Sequence, residues 1–511
     1  MRPQPILLLA LLASAPTVVA GQLPFLTAPV GTLRIEIGGR FDPASRERAD
    51  GTLRDLADPI RRTDWGPPGD PLVRDMATRL GGLLGRPVTD GTLGALGAEL
   101  EYQRGTGVIG LAVGVTPRLT VALDIPIVSI RTQAALVPDA TAATLGRNPA
   151  TLGDQSAAAY LGQLDVALDA LAVRLGEGAF DGDPTLRADA EALLAEGPAF
   201  RAALDAFLVD PATASAVLPL ASSQDGTDLL GTLAAYRDQF GTRFGVEGFT
   251  AQVALPTAAV TDAEVEGLLT APTGYGFAPT TDPPLVALGD VRLGATYAIL
   301  DGADGLRAWG EAGVQFPTGT APRPDVLRDQ GTGTREWAID LGGVVEIARG
   351  PIGLRSRIGF RRGFASEREV RIGTVDERLL PASRTTLLQR TPGTLLRLEA
   401  FPYLRIADHF ALVGTARWMH EGETSWSETL GTTPTSGGVI AAMGEGTSRR
   451  ALVVGLGLSY AHDGVNREGE RRMPVEAGLG IERLAASSGG LVAARLTTTL
   501  RFRVYKRLFS R

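Results

Sequence analysis

The chain has 511 residues, 57 acidic against 50 basic side chains, and a formal net charge of −7. That balance argues against nucleic acid as a partner, because holding a phosphate backbone takes an excess of Lys and Arg. There are 0 cysteines, which excludes both a disulfide framework and a lipoprotein anchor.

Residues 1–20, MRPQPILLLALLASAPTVVA, carry an early Arg2, an apolar run from Ile6 to Ala13, and small residues around Val18 and Ala20. This pattern predicts a secretory signal peptide cleaved after Ala20. A membrane anchor is disfavoured, since the run is short and Pro16 interrupts it. Next, Leu33, Ile35, Ile37 and Phe41 alternate with Arg34, Glu36, Gly38 and Arg40, the period of a strand. Residues 42–94, rich in Asp, Arg, Gly and Pro, read as a long loop. Ile109, Leu111, Val113 and Val115 then lead into a Thr116-Pro117-Arg118 turn. Beyond it Leu119, Val121, Leu123, Ile125 and Ile127 alternate with Thr120, Ala122 and Asp124, so the two runs form a hairpin.

From about 138 to 240 the period changes. Tyr160, Leu161, Leu164, Leu168, Leu171 and Leu175 mark one helical face, and Leu193, Leu194, Phe200, Leu204 and Leu208 continue on further helices. Residues 241–284 are irregular, with 249–255 as an alternative short strand. Alternation returns at 285 and lasts to the C-terminus, with strands at 291–299, 306–316, 337–347, 352–361, 394–405, 409–420, 449–461, 473–484 and 490–505. Short connections at 116–118, 301–305, 348–351, 406–409 and 463–470 alternate with long ones at 42–94, 131–284, 318–333, 364–392 and 421–447; only the tip near 485–489 breaks the rule.

Length alone suggests about three globular domains. The alternation of tight turns with long loops points instead to a transmembrane barrel with periplasmic turns and external loops. The expected fold is an all-β antiparallel barrel of about 12 strands, or 14 if 104–107 is a turn or 249–255 a strand, with an extracellular, mostly helical insertion. The expected organisation is a signal peptide at 1–20, the first three strands within 21–131, the insertion at 132–284, and the remaining nine strands within 285–511.

The polar phase of these strands carries both signs of charge, and the apolar phase almost none. Arg34, Glu36, Glu99, Glu101, Asp124, Asp290, Arg292, Glu311 and Glu336 stand on it in the first half. Asp340, Arg355, Arg357, Arg361, Arg397, Glu399, Arg417, Glu476, Glu482, Arg495 and Arg501 stand on it in the second. Lipid requires such segregation, since Arg or Lys facing lipid at mid-depth costs about 2–4 kcal/mol. Closure satisfies every backbone group. These charges are the expected lumen lining. Tyr297, Trp337, Phe360, Trp418 and Tyr460 fall on the apolar phase near strand ends, where aromatic girdles belong. A secreted soluble β-protein is the third reading.

The stretch GDVRLGATYAILDGADGLRAWGEAGVQFPTGT, with Gly289-Asp290 at its head and Pro317-Thr318-Gly319 at its end, the following GTGTREWAIDLGGVVEI, and GVTPRLTVALDIP carry a resemblance. They resemble the outer-membrane superfamily of long-chain fatty-acid transporters and their meta-pathway phenol-degradation relatives. The resemblance implies a transporter for hydrophobic small molecules. It also implies an N-terminal plug, but the short stretch between Ala20 and Leu33 argues against one from that source. The helical insertion is the alternative occluding element; helices that pack on one another and shield the barrel are the other reading.

His409, His420 and His462 share neither a face nor a zinc spacing, so no metal site is expected, and no cofactor. His420 beside Ser425 and Ser427 lacks a third group for hydrolysis, and enzyme function is not expected. Gly105-Thr106-Gly107-Val108-Ile109-Gly110 matches GxGxxG but enters a strand, without the helix N-terminus that a pyrophosphate needs. The lumenal arginines have two readings, binding an anionic head group or pairing with Glu and Asp across the interior. The expected function is a transporter or channel for hydrophobic or other small molecules in the outer membrane. A surface, adhesion or structural barrel without transport is the alternative. Expected partners are outer-membrane lipid and lipopolysaccharide, the barrel assembly machinery, and a hydrophobic solute.

Overall fold

The computed structural model describes residues 26–278, 284–301, 305–374, 377, 379–407, 409–429, 437–462 and 474–508. The expected signal peptide and the 463–470 turn lie outside the described residues, as does the middle of the 301–305 turn. Twelve antiparallel strands close on themselves. In chain order they are β1 Thr32–Ala44, β2 Ala95–Gly114, β3 Leu119–Asp139, β4 Arg292–Asp301, β5 Leu306–Gln315 and β6 Ala338–Arg349. The circuit continues with β7 Ile352–Gly363, β8 Leu395–Arg405, β9 Phe410–Glu421, β10 Arg449–His462, β11 Val475–Gly489 and β12 Leu496–Arg507. Each strand pairs with its sequence neighbour, and β12 pairs with β1 from Thr32↔Arg507 to Phe41↔Thr498. A further short strand, Leu285–Leu288, adds to β3 beyond its pairing with β4.

Tight turns join the strands at one end. In the first, the Thr116 hydroxyl accepts the Leu119 N–H at 2.9 Å, a side-chain-closed turn. Residues 104–107 lie within β2, and 249–255 form no strand. The expected break at 485–489 is the end of β11.

Burial runs opposite to that of a soluble protein. Ile37, Tyr297, Leu341, Ile358 and Phe502 are exposed on the outer face, while Arg34, Arg355, Arg417 and Arg501 are buried. Apolar groups outside and charges inside a closed hydrogen-bonded wall are the arrangement of an outer-membrane barrel. About 9–11 residues span the bilayer. β2 and β3, at 20 and 21 residues, therefore rise well beyond it at the long-loop end.

That end carries the helices. Residues 42–94, expected as a loop, contain α1 Pro71–Leu84 and the strand pair Arg46–Ala49 and Thr52–Asp55. Asp70 caps α1 by accepting the Leu72 and Val73 N–H groups, and Gly85 closes it in a left-handed conformation. The insertion holds α2 Ser156–Gly176, α3 Pro184–Leu208 and α4 Gln224–Thr242, then α5 Asp262–Thr270 in a stretch expected to be irregular. One apolar core joins them. Met76 and Leu80 of α1, Leu164 of α2, Phe207 of α3, Leu229 and Phe240 of α4, and Leu268 of α5 share it with Leu96, Leu100, Tyr102, Val128 and Ile130 of β2 and β3. The helices thus pack on one another and on the raised inner wall.

Candidate functional site: the lumen and its crossing loop

The connection between β5 and β6, residues 316–337, turns inward and crosses the barrel. Near its own strands it is held by Asp290. The Asp290 carboxylate accepts the Gly319 N–H at 2.9 Å, the Thr334 hydroxyl at 3.0 Å, the Thr334 N–H, and the Gln315 amide at 3.0 Å. The Thr318 hydroxyl donates to Gly289 O at 2.7 Å and accepts the Val291 N–H at 2.8 Å. The Gly289-Asp290 and Pro317-Thr318-Gly319 elements are therefore two halves of one latch.

The far side of the loop reaches the opposite wall. Arg104 of β2 donates to the carbonyls of Gly331 and Thr332, both at 3.3 Å. Arg495, ahead of β12, donates to the Gln330 side chain at 3.1 Å, and Arg328 pairs with Glu47. Glu336 joins Arg368 at 2.9 Å and Arg390. Glycine is required along this path: a Cβ on Gly333 would lie 2.6 Å from the Asp290 carboxyl carbon, and Gly331 has φ +62.

Below the loop lies a cavity of about 190 Å3. Ten of the expected lumen residues border it: Arg34, Glu36, Asp124, Arg292, Glu311, Asp340, Arg357, Arg361, Arg397 and Glu399. Arg503, which sequence reasoning did not single out, borders it too and pairs with Glu36 and, at 3.2 Å, with Glu476. Arg357 reaches Glu311 at 2.7 Å. Arg417 lies behind Glu399, donating to it at 2.6 Å and to Glu482 at 3.2 Å. Arg355, nearer the short turns, donates to Glu346, which also accepts the Tyr403 hydroxyl at 2.9 Å. Arg501 is buried on β12.

Glu99 and Glu101 stand elsewhere. Both are exposed, alternating with buried Ala98, Leu100 and Tyr102 on the raised part of β2. Above the bilayer the outer face of the wall meets water and the inner face meets the helical core, so polarity reverses along one strand.

Two further expectations are corrected. The chain ahead of β1 does enter the lumen: Leu26 packs on Ala298, Trp309 and Val344 and borders the cavity, while the Ala28 N–H donates to the Thr120 hydroxyl at 2.7 Å. Even this short stretch reaches inside, because Gly114 leaves room where a Cβ would lie 2.1 Å from Pro29 O. His409 and His462 do share a location, their ring centroids 4.7 Å apart, because β9 and β10 pair and the Ala461 N–H donates to His409 O between them. Among the described residues no group of three or more His, Cys, Asp or Glu is placed to hold a metal.

Sequence signals for the missed residues are uneven. Gln315 is fully buried at the hub of the latch, and only its position on the polar phase of β5 hints at that. Tyr403 reads as apolar, yet sits on the lumenal phase of its strand, whereas Trp309 already stands on the polar phase of its strand in the sequence.

No family model matches the chain, and no curated protein matches it. Among solved structures, an outer membrane channel from Pseudomonas putida F1 aligns over 97% of this chain and 100% of its own, at 8% identity and TM-score 0.43. A Pseudomonas aeruginosa FadL homologue aligns over 94% of this chain and 90% of its own, at 8% identity and TM-score 0.28. The Pseudomonas putida toluene transporter TodX aligns over 94% and 90%, at 9% identity and TM-score 0.23.

Proposed function

We propose that the protein is a channel for passive passage of small molecules across the outer membrane, with its long-loop end outside the cell. The observation that carries this reading is the 316–337 loop, drawn across the lumen and fixed to both walls above a charged cavity. A barrel needing only a sealed interior gains nothing from a polar cavity beneath such a loop. A diffusion channel gains a constriction that sets which solutes pass. Toward the short turns the lumen becomes partly apolar, with Leu26, Trp309 and Val344 in one cluster and Phe401, Tyr403 and Val413 in another. That sequence of surfaces favours small solutes with an apolar body over strongly hydrated ones.

Uptake into proteoliposomes containing the purified full chain tests the proposal. Swelling or single-channel conductance above that of empty liposomes, raised by releasing the loop latch, is the expected result. A correctly folded barrel, judged by heat-modifiable gel migration, that admits no solute in either form returns the protein to a structural or adhesive surface role.

A further inference from the structure

Toward the long loops the outward face of β7 to β11 turns basic. Arg362 of β7, His420 of β9, Arg450 of β10 and Arg483 of β11 share the phase of Ile358, Leu412, Leu456 and Ile481, which are exposed on that face. His420 and Arg450 are direct cross-strand partners. Leu396 and Phe360 continue their row to β7, where Arg362 is the next outward residue. Arg483 stands beside Leu496, the first residue of β12. The three arginines are exposed, and no carboxylate of these five strands shares the outward phase. The Arg362 guanidinium donates to the Thr394 hydroxyl at 3.1 Å. Among the described residues the Arg450 guanidinium has no ion pair, and His420 Nδ1 has no hydrogen bond.

One outward position further from the long loops, the same wall holds a groove of about 580 Å3. Its first row runs in register from β6 to β10 through Gly343, Ile358, Leu398, Trp418 and Leu452. The next runs from β5 to β9 through Ala308, Val345, Ser356, Ala400 and Ala416. Small side chains in that second row sink the floor between the exposed Ile358 and Leu398 and their neighbours. Leu398, Trp418 and Leu452 stand one outward position below Leu396, His420 and Arg450, so the groove opens directly under the basic row. The Trp418 and His420 rings stack there, their centroids 6.1 Å apart.

Arginine facing lipid is costly at mid-depth and tolerated at the interface, where its stem lies along the wall and its charge reaches the head-group layer. The counter-charge within reach at that level is lipid phosphate, which the arginine fork matches with paired N–H···O bonds. A basic row alone suits any anion, and a groove alone suits any chain; stacked as here, they suit one molecule that carries both. The next carboxylates outward, the exposed Glu367 and Glu369 of the strand Ser366–Arg371, keep a phosphate from settling farther from the membrane. We infer that Arg362, His420 and Arg450 hold the head group of a phosphorylated acyl lipid from the surrounding leaflet, with one of its chains laid in the groove. The inference goes beyond the channel reading: it needs the barrel to stand in the membrane and nothing to pass through it.

The experiment is native mass spectrometry of the full chain in neutral detergent, titrated with phosphatidic acid or with the diacylglycerol of the same chains. Saturable retention of phosphatidic acid is expected, with diacylglycerol held at least tenfold more weakly and inorganic phosphate unable to compete. Arg362→Gln and Arg450→Gln should each weaken retention of phosphatidic acid about fivefold, the effect of one basic residue at a membrane surface. Arg450→Lys should keep most of it. Gly343→Leu tests the groove separately, since a Cβ at Gly343 meets only ordinary contacts at 3.7 and 3.8 Å and the added side chain fills the groove. It should weaken phosphatidic acid several-fold in a barrel that still shows heat-modifiable migration. Equal retention of the two lipids, or parent-like binding by the Arg362→Gln, Arg450→Gln double form, overturns the inference. Parent-like binding by Gly343→Leu, or displacement by inorganic phosphate, overturns the placing of a chain in the groove. Conductance measured in parallel reports on the channel reading alone.

Discussion

Gly333 and Asp290 meet so closely that no methyl group fits between them: a Cβ on Gly333 would lie 2.6 Å from the carboxyl carbon of Asp290. The contact fixes where the crossing loop leaves the wall, because the same carboxylate takes the N–H groups of Gly319 and Thr334. Gly333→Ala must displace either the loop or Asp290, at about 1–3 kcal/mol for overpacking of this kind. The expected result is a barrel that still migrates as folded, with higher and noisier single-channel conductance. Unchanged conductance would mean that the loop does not define the constriction.

Removing the acceptor is the complementary change. Asp290→Ala strands the Gly319 N–H and the Thr334 N–H in a buried position, while Gln315 keeps Thr334 Oγ1 and Glu336 O as acceptors, and each unsatisfied group costs about 1–3 kcal/mol. Limited proteolysis is expected to cut the variant between 320 and 330, near Arg323 and Arg328, before it cuts the rest of the chain. A parent-like digestion pattern would place the anchoring of the loop in its far contacts with Arg104 and Arg495 instead.

At the other end of the lumen the inward segment depends on Gly114, since a Cβ there would meet Ala28 O at 2.4 Å as well as Pro29 O. Gly114→Ala is expected to drive residues 26–29 out of the barrel. The chain has 0 cysteines, so Leu26→Cys supplies a single thiol. A small maleimide should modify that thiol faster in the Gly114→Ala background. Equal rates would show that the segment stays inside without the glycine.

The barrel was legible because strand alternation survives the exchange of water for lipid: the period stays at two while the outward phase becomes the apolar one. The same inversion explains the error at Glu99 and Glu101. They share the odd-numbered, outward phase of β2 with Ile109 and Leu111, and they are polar because that part of the strand has left the membrane. Polarity alone assigned them to the lumen; phase would have placed them outside. α1 had local signals in Asp70-Pro71 and in Gly85, hidden in a loop whose average composition is polar. The crossing loop had none that period or composition expresses, since its inward course is set by Asp290, Arg104 and Arg495 from three separate parts of the chain. The meeting of His409 with His462 is likewise a product of strand pairing.

Asp70 gives the helical cap a pH dependence. Its carboxylate accepts Leu72 N at 2.9 Å, Val73 N at 3.1 Å, Trp65 Nε1 at 2.8 Å and the Tyr275 hydroxyl, but burial dominates and pushes its pKa above the ordinary carboxyl value. A raised folded-state pKa means that the fold takes up a proton more readily than the unfolded chain. Its stabilising contribution is therefore full below the ordinary Asp range and is lost as pH rises through the raised value. Hydrogen-exchange protection of the α1 amides, corrected for intrinsic rates, should fall in the parent as pH rises through that raised value. The fall should flatten in Asp70→Asn. An identical slope in that variant would assign the dependence to another group.

The lumenal arginines separate into two kinds by what they leave behind. Arg417 is 3% exposed and lies between Glu399 and Glu482, at 2.6 and 3.2 Å. Arg417→Gln abandons two carboxylates in the barrel interior, and breaking a buried pair in this way costs about 3–5 kcal/mol. The triple form Arg417→Met, Glu399→Gln, Glu482→Gln removes the stranded charges and should recover most of that loss, since replacing a whole buried network is often close to neutral. Arg397→Gln strands no ion-pair partner and should unfold in urea close to the parent midpoint. Equal destabilisation by Arg417→Gln and Arg397→Gln would refute the distinction.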